Sequence, residues 1–163
     1  MKSAEAALRS LAHGRVDRHD RRVRGFADDE WRRYADLLAG ALLVSARRRF
    51  GPEPDRGPLI RFVASARERY DTTGLEVDPT RAEAILLAAI GEGPGPPEDA
   101  ATLTARTLLL LGLLEDEGMP ADALDDLLTS AWTTAEGAPT TTGGAAPTTA
   151  EAATEDGPAA ERP

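Results

Sequence analysis

Large apolar side chains stop at Trp132. From residue 133 to the last residue, 163, the chain has no Val, Ile, Leu, Met, Phe, Trp or Tyr and consists mainly of Ala, Thr, Gly, Pro and Glu. Such a segment cannot bury enough apolar surface to offset the roughly 1–2 kcal/mol per residue that ordering a backbone costs. We therefore predict a disordered tail over residues 133–163, and the hydrophobic core must form from the residues before it.

Apolar residues upstream of the tail recur at three- and four-residue spacing, which is typical of amphipathic helices. Caps and breakers divide this region further, with Asp28 and Asp78 as predicted N-caps and Gly51-Pro52 and Gly91 as stops. The pattern predicts helices that begin near residues 28, 58, 78, 98 and 120. The fold class we predict is all-α, a compact bundle of four to five helices formed by residues 26–132.

The predicted fourth helix contains the run Leu108–Leu114, which is apolar nearly all round and indicates the most buried element. Gly118 and Pro120 then predict a tight turn into the last helix. From this turn we expect the last two helices to form an antiparallel hairpin.

Residues 1–25 form the third predicted region, a polar basic arm. Residues 4–12 could form a short helix, whereas the segment from His13 to Gly25 is almost wholly polar and predicts an exposed arm.

Charge is distributed unevenly along the chain, whose net charge is −9. Residues 1–70 contain 16 basic and 10 acidic side chains, and residues 71–163 contain 3 basic and 18 acidic ones. Two interpretations are open: the halves attract each other within one fold, which we favour, or each half forms a surface for a partner. The candidate partner-binding residues are Arg18, Arg21, Arg22, Arg24, Glu115, Asp116 and Glu117.

Within this set, the run Glu115–Glu117 gives the clearest indication of a neighbouring cation. Three carboxylates near a helix C-terminus oppose the helix dipole, so they need a basic neighbour. The arginine-rich N-terminal half or a partner could supply it.

Nucleic-acid binding by the arginine-rich N-terminal half is one alternative function. Arginines 15, 18, 21, 22 and 24 could contact phosphates, but Asp17 and Asp20 dilute the positive charge and no aromatic residue interleaves for base stacking. A metal-binding protein or small helical enzyme that uses the acidic cluster Asp122, Asp125 and Asp126 is a second alternative. His13 and His19 have the chemistry of metal ligands, but the arginines around them would repel a cation.

No catalytic, cofactor or metal motif is identifiable in the sequence, and we expect no cofactor. The chain has no cysteine, its first eleven residues lack the apolar core of a secretory signal, and its apolar stretches fall short of the roughly 20 residues that span a bilayer. We therefore expect a cytoplasmic protein without membrane contact. The function we predict is a non-enzymatic interaction or regulatory domain with a protein partner.

Overall fold

The computed structural model describes residues 2–53, 55–72 and 76–137, and these residues form seven α-helices and no strand. The predicted all-α class is confirmed. The count exceeds the predicted four to five because the first 25 residues contribute two helices. The helices are α1 (Lys2–Ala12), α2 (Val16–Val23), α3 (Asp28–Phe50), α4 (Arg56–Tyr70), α5 (Pro79–Ile90), α6 (Ala100–Glu117) and α7 (Ala121–Gly137).

Aspartate caps set three of the helix starts, because the carboxylate accepts a hydrogen bond from an otherwise unpaired first-turn amide. Asp55 accepts from the amide of Gly57 at 3.1 Å, Asp78 from Arg81 at 2.7 Å, and Asp99 from Thr102 at 2.7 Å. Asp28 is not a cap as predicted. It is the first residue of α3, and Ala27 precedes it as the N-cap.

Helices α3 and α6 form the centre of the core. Each packs against four other helices: α3 against α1, α5, α6 and α7, and α6 against α1, α3, α4 and α5. Leu38, Ala41 and Leu42 of α3 and Leu109, Leu110 and Leu113 of α6 are buried. The expectation that the Leu108–Leu114 run is buried holds for one side only, since Leu108 and Leu111 are half-buried.

Helix α7 does not form the predicted hairpin with α6. In the described part of the chain it packs mainly on α3, with a smaller contact to α1 and only marginal contact with α6. Close approach explains this choice: Gly40 of α3 lies so near α7 that a Cβ built on it would be 2.6 Å from the carbonyl oxygen of Ala131. The missing side chain of Gly40 lets the two backbones pack directly.

Residues 1–25, predicted as a polar basic arm with a possible short helix at residues 4–12, form two packed helices. Helix α1 agrees with that short helix except that it begins two residues earlier, and it buries Ala4, Ala7, Leu8 and Leu11 in the core. Helix α2 packs against α1 and buries one side chain, that of His19. Polar composition therefore did not prevent this segment from folding.

The predicted tail falls largely outside the described residues. Helix α7 continues to Gly137, five residues beyond the predicted end at Trp132, and residues 138–163 are not described. None of the described helices is both long enough and apolar enough to cross a membrane.

Candidate functional site

Helix α2 separates its charges onto two sides. At about 100° per residue, Arg15 at the N-cap, Arg18 and Arg22 project within about 60° of each other, whereas Asp17 and Asp20 project on the opposite side. The two aspartates therefore reduce the net positive charge of the segment in the sequence, as predicted. They do not lie on the helix face that carries the three arginines, so the prediction does not hold for that face.

The basic face of α2 meets a matching face of α1 in a cavity of about 150 Å³. We call this cavity the basic cleft. On each side of the cleft, the lining residues recur at the three- and four-residue spacing of a helix. The lining residues are Ala6, Arg9, Ser10 and His13 from α1 and its C-terminal turn, and Arg15, Arg18 and Arg22 from the N-cap and body of α2.

The three arginines on the α2 side of the basic cleft are unpaired. Arg15, Arg18 and Arg22 form no ion pair with any carboxylate of the described residues, whereas Arg9 contacts both Glu5 and Asp125 at 3.3 Å. The Nε atom of Arg22 is moreover buried without a hydrogen-bond acceptor. Buried N–H donors in folded proteins normally have an acceptor, so this Nε–H is an unsatisfied donor, and an acceptor from outside can reach it only if the Arg22 side chain moves.

Arg21 and Arg24, which the sequence grouped with Arg18 and Arg22, do not line the cleft. The Nε atom of Arg21 donates to the carbonyl of Asp17, and that of Arg24 donates to the carbonyl of Asp20, each at 3.2 Å. Both side chains therefore lie along their own helix, and the structure divides the predicted arginine set into two pairs.

A buried polar chain anchors α2 to the bundle. Nδ1 of His19 lies 2.9 Å from the carboxylate of Asp20, and Nε2 lies 2.6 Å from the hydroxyl oxygen of Tyr34 in α3. Because a carboxylate only accepts, Nδ1 carries the imidazole proton, and Nε2 accepts from the phenol. Burial raises the pKa of Tyr34 above the ordinary range, so the phenol stays protonated and donates.

An apolar groove of about 470 Å³ opens beside this anchor, between α2, α3 and α6. Its size lies within the range of small-molecule sites. Most of its polar groups, however, are already engaged: His19 bonds to both Asp20 and Tyr34, and the hydroxyls of Thr104 and Thr107 donate to carbonyls of their own helix. Among the described lining residues, the carboxylate of Glu76 is the exception. The groove thus offers a ligand few free polar groups, unlike the basic cleft.

Replacing Tyr34 with phenylalanine is expected to lower the free energy of unfolding by about 1–3 kcal/mol. His19 and Tyr34 are only 5% and 2% exposed, so the change leaves the Nε2 atom of a buried imidazole without a partner. Urea titration followed by circular dichroism measures the loss. The control is Tyr70→Phe, which removes a hydroxyl that donates to Glu115 in an exposed setting and should change stability by about 0.5 kcal/mol or less. Equal losses in the two variants would contradict a stabilising role for the His19 anchor.

The acidic run at the end of α6 is neutralised within the fold. Arg69 Nη1 lies 3.1 Å from Glu115 and 3.0 Å from Asp116, and Arg48 Nε lies 3.4 Å from Glu117. The cations come from the N-terminal half, as we favoured, but from α3 and α4 rather than from the arm. Burial, together with the hydrogen bond to Glu115, raises the pKa of Tyr70 to about 12.

Only part of the predicted acidic cluster at Asp122, Asp125 and Asp126 is described. Asp125 contacts Arg9, Asp126 is exposed, and the side chain of Asp122 lies outside the described residues. Across the described residues, no group of three or more His, Cys, Asp or Glu side chains is placed to hold a metal ion.

The basic cleft and the His19 anchor were both missed in the sequence, although the helical spacing of residues 15, 18 and 22 was a usable signal. Compared with known proteins, the chain matches no family model, no curated protein and no solved structure at significant similarity.

Proposed function

We propose that this protein is a non-enzymatic interaction domain that binds an acidic segment of a protein partner through the basic cleft between α1 and α2. The observation that carries the proposal is that Arg15, Arg18 and Arg22 lie together on one face of α2 without an ion pair to any described residue. Cations without a nearby counterion attract a partner of opposite charge, raise its association rate and favour one orientation of it.

The arginines of the basic cleft and the acidic run Glu115–Glu117 do not form ion pairs with each other. Glu115, Asp116 and Glu117 already contact Arg69 and Arg48. The charge asymmetry of the chain is therefore partly used inside the fold, and the three arginines of the basic cleft are among the arginines that have no ion pair with the described residues.

An acidic protein segment suits the cleft better than a nucleic acid does. The net charge of −9 repels a long polyanion, whereas the positive potential of α2 acts over about a Debye length of 8–10 Å. The described lining of the cleft contains no aromatic side chain on which a base could stack. A short acidic peptide needs neither an extended basic surface nor a stacking platform.

Charge reversal of Arg18 and Arg22 to Glu tests the proposal. Fluorescence anisotropy with a labelled Glu/Ser peptide at physiological salt should show binding to the parent and about a tenfold or greater loss in the variant, since two attractive contacts become repulsive. The control reverses Arg56 and Arg61 of α4, which form no ion pair among the described residues and lie on a helix that packs against α5 and α6. It has the same change in charge and should bind like the parent.

Two outcomes would overturn the proposal. Equal losses in both variants would show that net charge, and not the cleft, attracts the peptide. Tighter binding of random-sequence duplex DNA than of the peptide by the parent, lost on reversal of Arg18 and Arg22, would assign the cleft to nucleic acid instead.

A further inference from the structure

We propose that the basic cleft is a phosphoryl-binding site, which takes the phosphate of a phosphorylated side chain in the partner's acidic segment. This inference rests on the proposed function and adds a ligand class to it. The size of the cleft and the donors that line it support this ligand class.

The size of the cleft limits what can enter. Its volume of about 150 Å³ is smaller than the roughly 300–1,000 Å³ of pockets that enclose whole small molecules. A nucleotide or a cofactor would remain largely outside. A single tetrahedral anion at the end of a side chain can enter and reach both walls.

The donors in the cleft match a phosphoryl group in number and geometry. Arg15, Arg18 and Arg22 supply three guanidinium groups that have no counterion among the described residues. A guanidinium presents its N–H groups as a planar fork that pairs with two oxygens at once. A phosphoryl group carries a charge of about −1.5 to −2 and three acceptor oxygens, so it satisfies more of these donors than one carboxylate can.

The test compares three labelled peptides of one sequence that carry phosphoserine, glutamate or serine at the central position. By fluorescence anisotropy, we expect the phosphoserine peptide to bind the full chain about tenfold or more tightly than the glutamate peptide. Arg22→Lys keeps the charge but removes the fork and the buried Nε–H, so it should abolish most of that preference and leave the affinity for the glutamate peptide within about twofold. Arg21→Lys, outside the cleft, is the matched control and should retain the preference.

The outcomes separate this inference from the function on which it rests. If the glutamate peptide binds through Arg18 and Arg22 but phosphoserine brings no advantage, the acidic-segment function stands and the phosphoryl site is refuted. If neither peptide binds, both are refuted. A phosphoserine preference that survives Arg22→Lys would also overturn the inference, because the buried fork would then take no part in recognition.

Discussion

Replacing Leu110 with alanine is expected to lower the free energy of unfolding by about 2–5 kcal/mol. Leu110 is 1% exposed in α6, which packs against four other helices, so its removal leaves a cavity that no solvent can fill. The sequence left Leu110 and Leu111 equivalent as candidates for the buried position, and the structure distinguishes them. Chemical denaturation, analysed as a two-state transition, gives the loss directly.

Leu111→Ala provides the matched control for this prediction. Leu111 is half-buried and lines the apolar groove under α2, so its truncation removes less contact and creates an indentation rather than a closed cavity. We expect less than half the loss seen for Leu110→Ala. If both variants unfold like the parent protein, α6 is not the centre of this core and the packing described here is wrong.

Replacing Gly40 with alanine is the second change with a large expected effect, and two opposing terms decide its sign. Alanine in a helix interior is favoured over glycine by about 1 kcal/mol. At Gly40, however, the new Cβ would be 2.6 Å from the carbonyl oxygen of Ala131, a backbone atom that cannot rotate away. Overpacking of this kind typically costs about 1–3 kcal/mol, so α7 must shift and we expect net destabilisation.

Gly57→Ala is the control, because Gly57 also lies in a helix but has space around it. Its nearest neighbour to a new Cβ is the flexible end of Arg61 at 3.4 Å, which can move. Gly57 lies in the first turn of α4 and directly precedes Pro58, where helical backbone disfavours a residue with a Cβ, so the gain in helix propensity is offset and stability should change by about 0.5 kcal/mol or less. A clear loss at residue 40 without a comparable loss at residue 57 would support direct backbone contact between α3 and α7. An unchanged or stabilised Gly40→Ala variant would contradict it.

Local signals in the sequence predicted the five helices α3 to α7, although not α2, which was expected to be an exposed arm. Asp78 followed by Pro79 marks the start of α5, and Gly91 adopts the left-handed conformation that ends it. Such signals act over one helical turn, so a single sequence suffices to read them. Which helices pack together cannot be read from such local signals. Helix α7 packs closely on α3, where Gly40 permits the approach, but the sequence does not show which helix would contact this glycine.

For the candidate site too, the sequence predicted the local feature but not its arrangement in the fold. The arginines of residues 15–24 were recognised as a basic segment, but composition alone grouped Arg21 and Arg24 with Arg18 and Arg22. Only the helical arrangement of α2 separates them. That arrangement depends on His19 reaching Tyr34, which is 15 residues away in the sequence and could not be paired with it from spacing.

Helix α2 buries only one side chain, that of His19, and otherwise packs on α1 and on the core through partly buried residues such as Val23. Regions with few buried contacts open locally at a lower free energy than the whole domain. If the basic cleft binds a ligand as proposed, opening of α2 would remove one wall, and the apparent affinity would be scaled by the fraction of time α2 is docked. A substitution at Tyr34, which does not line the cleft, would then weaken recognition without touching the partner.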